Sequence, residues 1–429
     1  MRDLTLLGII IAVSAYALLH PWVGILGWTW LSLMNPHALA WELKDMPVAA
    51  VIAVATLIGV LISKDRKNFY VTPETGILIL FMLWMSITLV FSIYFDWSTY
   101  MWKRVMKIDF MILVALIVLY SKKHIIALVW VVAASIGFYG FKGGLFTIAT
   151  GGNYLVWGPA GTYIEGNNEL ALAMILVIPL INFLYLNQTN KWVKRGLLAW
   201  MLLCAIAALG SHSRGALLAI GAMATVLWWR SPGKLKYGLI IAFIGIIALA
   251  FMPENWMSRM STISEYQADA SAMGRINAWW MAWNLASDRL LGGGFEIYTP
   301  EIFSAYAPNP EDLHQAHSIY FQVLGEHGFI GLFLFLLLWW MVWRQAGKLR
   351  KDGLAQPETR WISSLGSMCQ VSLAGYAVGG AFLSLAYFDL PYNILLLVVL
   401  TRRWLDRKAW IEETGAQVNT LYPAPTAGT

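Results

Sequence analysis

Charge is scarce in this sequence. Asp, Glu, Lys and Arg make up 13% of its 429 residues, where an ordinary soluble domain carries about 25%. A chain so poor in charge does not read as an ordinary globular surface. Cysteine is scarcer still. The 2 present, Cys204 and Cys369, both sit inside apolar runs, so a disulfide framework is not indicated. No Walker-type phosphate loop, dinucleotide fingerprint or nucleophile elbow occurs, which leaves soluble nucleotide-driven chemistry without support. The apolar start from Leu4 leads into no polar mature domain and past no evident small-residue cleavage site. It reads as a first membrane segment, not a signal peptide.

Long hydrophobic runs are what the chain has instead. Hydrophobic residues are 59% of it, and many runs reach the roughly 17–25 residues that a bilayer helix needs. The fold class expected is an all-α polytopic integral membrane protein with about 12 transmembrane helices. Spans are expected near 4–34, 47–63, 74–94, 105–120, 125–141, 168–186, 196–210, 213–229, 236–252, 318–343, 361–386 and 390–402. The first run is too long for one straight crossing and is interrupted by His20-Pro21. It is either a broken helix or two short ones, the latter making thirteen spans, and the large loop is expected between the tenth and eleventh spans.

The basic residues set the orientation. Arg2 and the alternating loops around Lys64–Lys67, Lys122-Lys123, Lys191–Arg195, Arg230–Lys236, Arg344–Arg360 and Arg402–Lys408 hold 21 of the 30 Lys and Arg. Those loops are expected in the cytoplasm, with both termini, and the net charge of +6 then needs no nucleic acid. Anchoring beside anionic headgroups accounts for it. Three regions are expected: an amino-terminal transmembrane region over 1–145, a core over 146–405, and a polar cytoplasmic tail over 406–429.

Two external loops stand out, 142–167 and the much larger 253–317. A structureless loop of that second size is unusual, so local folding or function is expected there. Within it, "GRINAWWMAWNLASDRLLGGG" reads as a short amphipathic helix ending at Gly292–Gly294. Its Trp279, Trp280 and Trp283 are suited to rest on the membrane surface. No solenoid-type repeat is evident.

A few polar residues on that side have chemical potential. Arg214, in "GSHSRGALLAIG", occupies a tight external turn, and a guanidinium near hydrocarbon usually has a partner; the plainer reading is a snorkelling anchor. Arg275 is either a solvated loop residue or a second guanidinium at headgroup depth, where two make a diphosphate clamp. His317, followed by Ser318, opens the span after the large loop and suits a general base or a plain helix cap. His314 and His317 form a metal pair only if a third ligand exists, and none convinces. Asn167, Asn168 and Glu169 either cap a helix or bind sugar hydroxyls. Lys142, before Gly143-Gly144, either assists a phosphate or anchors a helix end.

The stretch "HSIYFQVLGEHGFIG" matches the pattern H-[NSQ]-x9-G-x-x-[GTV] through His317, Ser318, Gly328 and Gly331. With "SRGALLA" before it, a large loop containing "GR...W", and "LLGGGF", it resembles the O-antigen ligase/polymerase superfamily over roughly residues 150–400. "PWVGILGWTWLSLMNPHALAWEL" and "FKGGLFTIATGGNYLVWGP" resemble O-glycosylation ligases associated with the exosortase A system. The resemblance implies metal-independent, inverting glycosyl transfer without a cofactor at the periplasmic face of the inner membrane. Its donor would be an undecaprenyl-diphosphate-linked glycan, and its acceptor a protein or glycan hydroxyl. It implies His317 as the base and Arg214 and Arg275 as the diphosphate ligands; Ser318, Lys142, Asn167, Asn168 and Glu169 are further candidate substrate contacts. It also points to exosortase-pathway proteins as partners.

Three other readings stay open. An exopolysaccharide polymerase shares the architecture and differs in its product. A lipid-linked oligosaccharide transporter or flippase predicts ionisable residues deep in several spans. A structural scaffold predicts that the candidate residues are dispensable.

Overall fold

The computed structural model describes residues 2–44, 46–67, 70–230, 234–235, 238–239 and 270–413. The expected span 236–252, the first part of the large loop and the tail beyond 413 lie outside the described residues, apart from two residues within that span. Among the described residues every regular element is helical. The long helices are α1 (Arg2–Leu19), α2 (Pro21–Met34), α3 (Val48–Ile62), α4 (Pro73–Val90), α5 (Phe95–Val118), α6 (Lys122–Ala149), α7 (Asn167–Asn187), α8 (Lys191–Gly210) and α9 (Arg214–Arg230). They continue as α10 (Ala270–Asp288), the short α11 (Pro300–Tyr306), α12 (Ile319–Asp352), α13 (Arg360–Gly379) and α14 (Asp389–Asp406). Six of them, α1, α4, α6, α7, α8 and α12, are long and apolar enough to cross a membrane.

Helices α7 and α14 form the centre. From Leu170 to Val177 every α7 residue is buried, and so is every α14 residue from Asp389 to Thr401. A helix apolar on all sides must be surrounded, and α7 is enclosed by α6, α8, α9 and α13. Small residues let the backbones close up, as membrane packing favours. A Cβ on Gly144 of α6 would lie 2.4 Å from the Leu203 carbonyl of α8, and one on Gly140 would lie 2.3 Å from Cys204 Sγ. The Gly143-Gly144 pair is therefore a helix contact, not a phosphate loop. Helix α6 runs on to Ala149, well into the expected 142–167 loop, and Lys142 points outward from it.

The amino-terminal run is two antiparallel helices. Pro21 cannot continue α1, and the chain reverses at His20. Gly24 and Gly27 of α2 face Ala17 and Val13 of α1 so closely that a Cβ would lie 2.8 and 2.5 Å from them. His20 Nδ1 meets Asp65 Oδ2 at 3.2 Å at one end of the bundle. At the other end, Asp3 accepts from the backbone N–H groups of Trp41 and Glu42 at 2.9 and 3.1 Å. The carboxy-terminal helix finishes beside His20's end, where Arg66 donates to Glu412 at 3.3 Å and Lys122 N–H to Glu413 at 3.1 Å. The first and last described segments thus lie at opposite ends of the bundle. The basic loops otherwise gather at the Arg66 end, as their alternation predicts.

Helix α12 is sharply kinked. Gly328 adopts φ 68° and ψ −173° inside it, which frees the carbonyls of the preceding turn from their helical partners. Each is taken up from outside: Gly325 O by Gly293 N–H at 2.9 Å, Glu326 O by Gly294 N–H at 2.9 Å, and His327 O by Trp84 Nε1 at 2.9 Å. Leaving one such buried group unmatched would cost about 1–3 kcal/mol. A Cβ at Gly328 would lie 2.2 Å from Leu290 O, and one at Gly292 would lie 2.7 Å from Gly325 O. The triple glycine and the glycine of the α12 motif are two halves of one joint. Gly331 completes it by leaving room for the Trp84 indole, which a Cβ would approach to 3.3 Å.

Candidate active site

The joint fixes the first segment of α12, and with it His317, at the end of the bundle away from the basic loops. His317 sits just before α12 with φ 41°. A left-handed backbone costs a non-glycine residue about 1–3 kcal/mol, so its neighbours must hold it. Ser318 behind it is buried as the N-cap, though its hydroxyl makes no capping bond. In front, Trp279 Nε1 donates to Ala316 O at 2.7 Å, and the indole stacks on Phe321 with centroids 4.9 Å apart and planes at 6°. Trp279 therefore clamps α10 to α12. It does not lie on the membrane surface as expected, whereas Trp280 and Trp283 do stay exposed.

Helix α10 begins over His314. A Cβ on Gly274 would lie 2.3 Å from that imidazole, whose Nδ1 contacts Asp312 at 2.8 Å. The next residue is Arg275, and its charge acts on two groups, the His317 imidazole and the Glu169 carboxylate of α7. Burial, the Arg275 charge and the neighbouring His314 push His317 down to about 4. At neutral pH it is an uncharged imidazole able to accept a proton.

Arg214 enters the same rim from another direction. It is the first residue of α9, half-buried, and follows a turn held on both sides. His212, at φ 56°, donates from Nε2 to Gly152 O at 2.8 Å. Asn167 Nδ2 donates to Ser211 O at 2.7 Å. The segment 380–382 then links this turn to α12: Gly215 lies against Phe382, and Gly380 lies against Ile319. The structure thus gathers Arg275, His317, His314 and Glu169 electrostatically and builds Arg214 into the adjoining wall.

The remaining candidates divide. Asn167 is a strut to the α8–α9 turn. Glu169 folds back over the Gly166 N-cap, where a Cβ would lie 2.0 Å from its Oε2, so its carboxylate serves the start of α7 as a capping group would while feeling Arg275. Asn168 is half-buried on the same turn. Lys142 is turned away from the α6–α8 contact. His327 belongs to the kink: its Nδ1 meets Thr88 Oγ1 at 2.7 Å and its ring is fully buried.

Sequence reasoning passed over His212, Trp279 as a clamp, and a layer beneath the rim. There Glu326 accepts from the Tyr387 hydroxyl, and Gln322 Oε1 accepts from Ala386 N–H at 3.3 Å. Glu326 stands within the quoted motif, and a carboxylate in so apolar a run was the available signal.

Residues 197–336 match the model of the O-antigen ligase family. This segment is similar to the O-antigen ligase/polymerase superfamily. This superfamily comprises membrane glycan ligases and polymerases, and glycosyl transfer is its class of reaction. The matched ligase segment contains Arg214, Arg275, His317, Ser318, Gly328 and Gly331. Residues 1–189 match a family of unknown function (DUF5935), and Lys142, Asn167, Asn168 and Glu169 fall there. No curated protein matches the chain. Neither family match carries the association with exosortase A.

Proposed function

We propose that this protein transfers a glycan from an undecaprenyl-diphosphate carrier to an acceptor hydroxyl at the periplasmic face of the bacterial inner membrane. The carrying observation is the placing of an uncharged, half-buried His317 under the charge of Arg275, at the end of the bundle opposite the basic loops. The positive-inside tendency puts that end outside the cytoplasm.

In this reading the His317 imidazole accepts the proton of the acceptor hydroxyl. The acceptor oxygen forms its bond to the anomeric carbon as the bond from that carbon to the diphosphate oxygen breaks, with inversion. The electron pair leaves on the diphosphate. Arg275 and Arg214 bind its oxygens, and planar guanidinium groups suit that task. Fixed positive charge aimed at a leaving group is a large rate term in a site shielded from water, and it supplies this stabilisation without requiring a metal. The bound diphosphate would also offset the Arg275 charge, so the basicity of His317 would rise when the donor arrives. The proposed acceptor is a Ser or Thr hydroxyl of an exported protein.

The test uses purified protein in lipid with a labelled undecaprenyl-diphosphate glycan and candidate acceptors. Release of undecaprenyl diphosphate together with glycan transfer is expected for the wild type. His317→Ala should bind the donor and transfer nothing. Equal transfer by that variant would reject His317 as the base. A ladder of chain lengths, instead of one modified acceptor, would identify a polymerase.

A further inference from the structure

A cavity of about 180 Å³ with a mixed polar and apolar lining lies at the same end of the bundle, and neither His317, Arg275 nor Arg214 lines it. Its walls come from α2, α5, residues 163–164 and the start of α14. None of its lining residues falls within the matched ligase segment 197–336. Most belong to the segment matched by the family of unknown function, and Phe388 and Asp389 close it from the far side.

Arg104 and Lys107 line it. With Lys103 they put three basic residues on one short stretch of α5, on the side where the loop-charge pattern predicts few. The Arg104 guanidinium lies 4.0 Å from the centroid of the Tyr163 ring. Opposite charge is present too. Buried Asp389 begins α14, accepts from Ser32, and acts electrostatically on Arg104, as does Glu296. Asn35 turns the chain at φ 49°, and His37 follows it into the wall. Two buried polar atoms there, His37 Nδ1 and the Tyr163 hydroxyl, have no hydrogen-bond partner among the described residues. Such groups cost about 1–3 kcal/mol each when left unmatched, and a polar ligand would match them.

We propose that this cavity binds an acidic sugar, a saccharide ring carrying a carboxylate or phosphate, at a site distinct from the His317 rim. Arg104 and Lys107 take the acid group. Asp389, His37 and Tyr163 take neighbouring hydroxyls. The mixture decides the class of ligand: two cations alone would suit any anion, but a buried carboxylate beside them repels a bare one and accepts from hydroxyl donors. Recognition of this kind would select which glycan the protein handles.

The probe is methyl glucuronide, compared with neutral methyl glucoside, on full-length protein in phosphatidylcholine nanodiscs. Histidine-labelled protein reports through the His37 imidazole resonance, assigned with His37→Gln. Methyl glucuronide is expected to shift that resonance saturably, and the glucoside to do so far more weakly. Arg104→Gln should weaken binding roughly tenfold or more, the size of one lost charged hydrogen bond, and Arg104→Lys should recover part of it. Lys107→Gln, at an exposed side chain, gives a second reading that is independent of packing around Tyr163. Absence of a His37 shift, or equal affinity for both sugars, overturns the proposal. So does a shift produced by phosphatidylglycerol in the nanodisc that methyl glucuronide cannot displace, which would make the cavity a lipid headgroup site.

Discussion

His317 and Gly328 stand in the same short motif, and both hold a left-handed backbone, at φ 41° and 68°. They do so for opposite reasons. Gly328 is closed in. Its Cα faces Leu290 O, the carbonyls around it are matched by Gly293, Gly294 and Trp84, and no side chain would fit. His317 keeps its imidazole at a half-buried rim beside Arg275, where its left-handed backbone carries a side chain that can reach a substrate. In the proposed function, one end of the motif is architecture and the other is chemistry. A pattern of spaced letters does not tell them apart.

The sharpest way to break that contrast is His317→Gly. Transfer should fall by about 10²–10⁴, the usual worth of a general base, as measured by product formation. Stability should stay level or rise by up to about 1 kcal/mol, because glycine relieves the left-handed strain. A variant that melts far earlier than the wild type would mean that His317 is architectural as well. The mirror experiment is Gly328→Ala. It should destabilise by several kcal/mol, about 1–3 from backbone strain and a similar amount for each carbonyl that loses its donor. Detergent thermal denaturation reads this directly, and a normal melting temperature would show that the kink relaxes without the Gly292–Gly294 joint.

Two further changes sharpen the chemical end. Arg275→Gln removes a positive charge that disfavours the imidazolium, so the His317 pKa should rise from about 4. The acid limb of kcat/KM, where the protonated base is inactive, should move to higher pH with it. An unmoved limb would place Arg275 outside the reach of His317. Trp279→Phe should have the smallest effect. It keeps the stack on Phe321 but loses the hydrogen bond to Ala316 O, about 1 kcal/mol, and should lower kcat several-fold with KM little changed. A KM effect alone would make Trp279 a substrate contact and not a clamp.

Much of the helical layout was legible along the chain. The apolar runs anticipate α3, α4, α7, α8, α9 and α14 to within a few residues, because an uninterrupted apolar run marks each helix. The bounds failed where polar residues sit on a helix. Helix α5 begins at Phe95 despite Asp96, Lys103 and Arg104, and α6 carries Lys142 two turns before its end. Charge at one face of a helix does not stop it; it only stops the apolar count. At the site, His317, Arg275 and Arg214 were readable as residue types suited to acid–base and anion chemistry. Trp279, His212 and the cavity around Arg104 were not, since each acts through a partner distant in sequence.

The sequence by itself determined a membrane-class helical chain, the alternation of its basic loops, and the motif that resembles the O-antigen ligase pattern. These follow from local quantities: hydropathy, charge and the spacing of a few residues. Tertiary structure decided the rest. It turned the first run back on itself at His20-Pro21 and put the two described termini at opposite ends, because Gly24 and Gly27 allow α2 to close against α1. It joined Gly292–Gly294 to Gly328 because a broken helix leaves carbonyls that only a distant segment can satisfy. And it brought α10 over α12, so that burial and the Arg275 charge together depress the pKa of His317, because a single indole could both stack on Phe321 and reach Ala316.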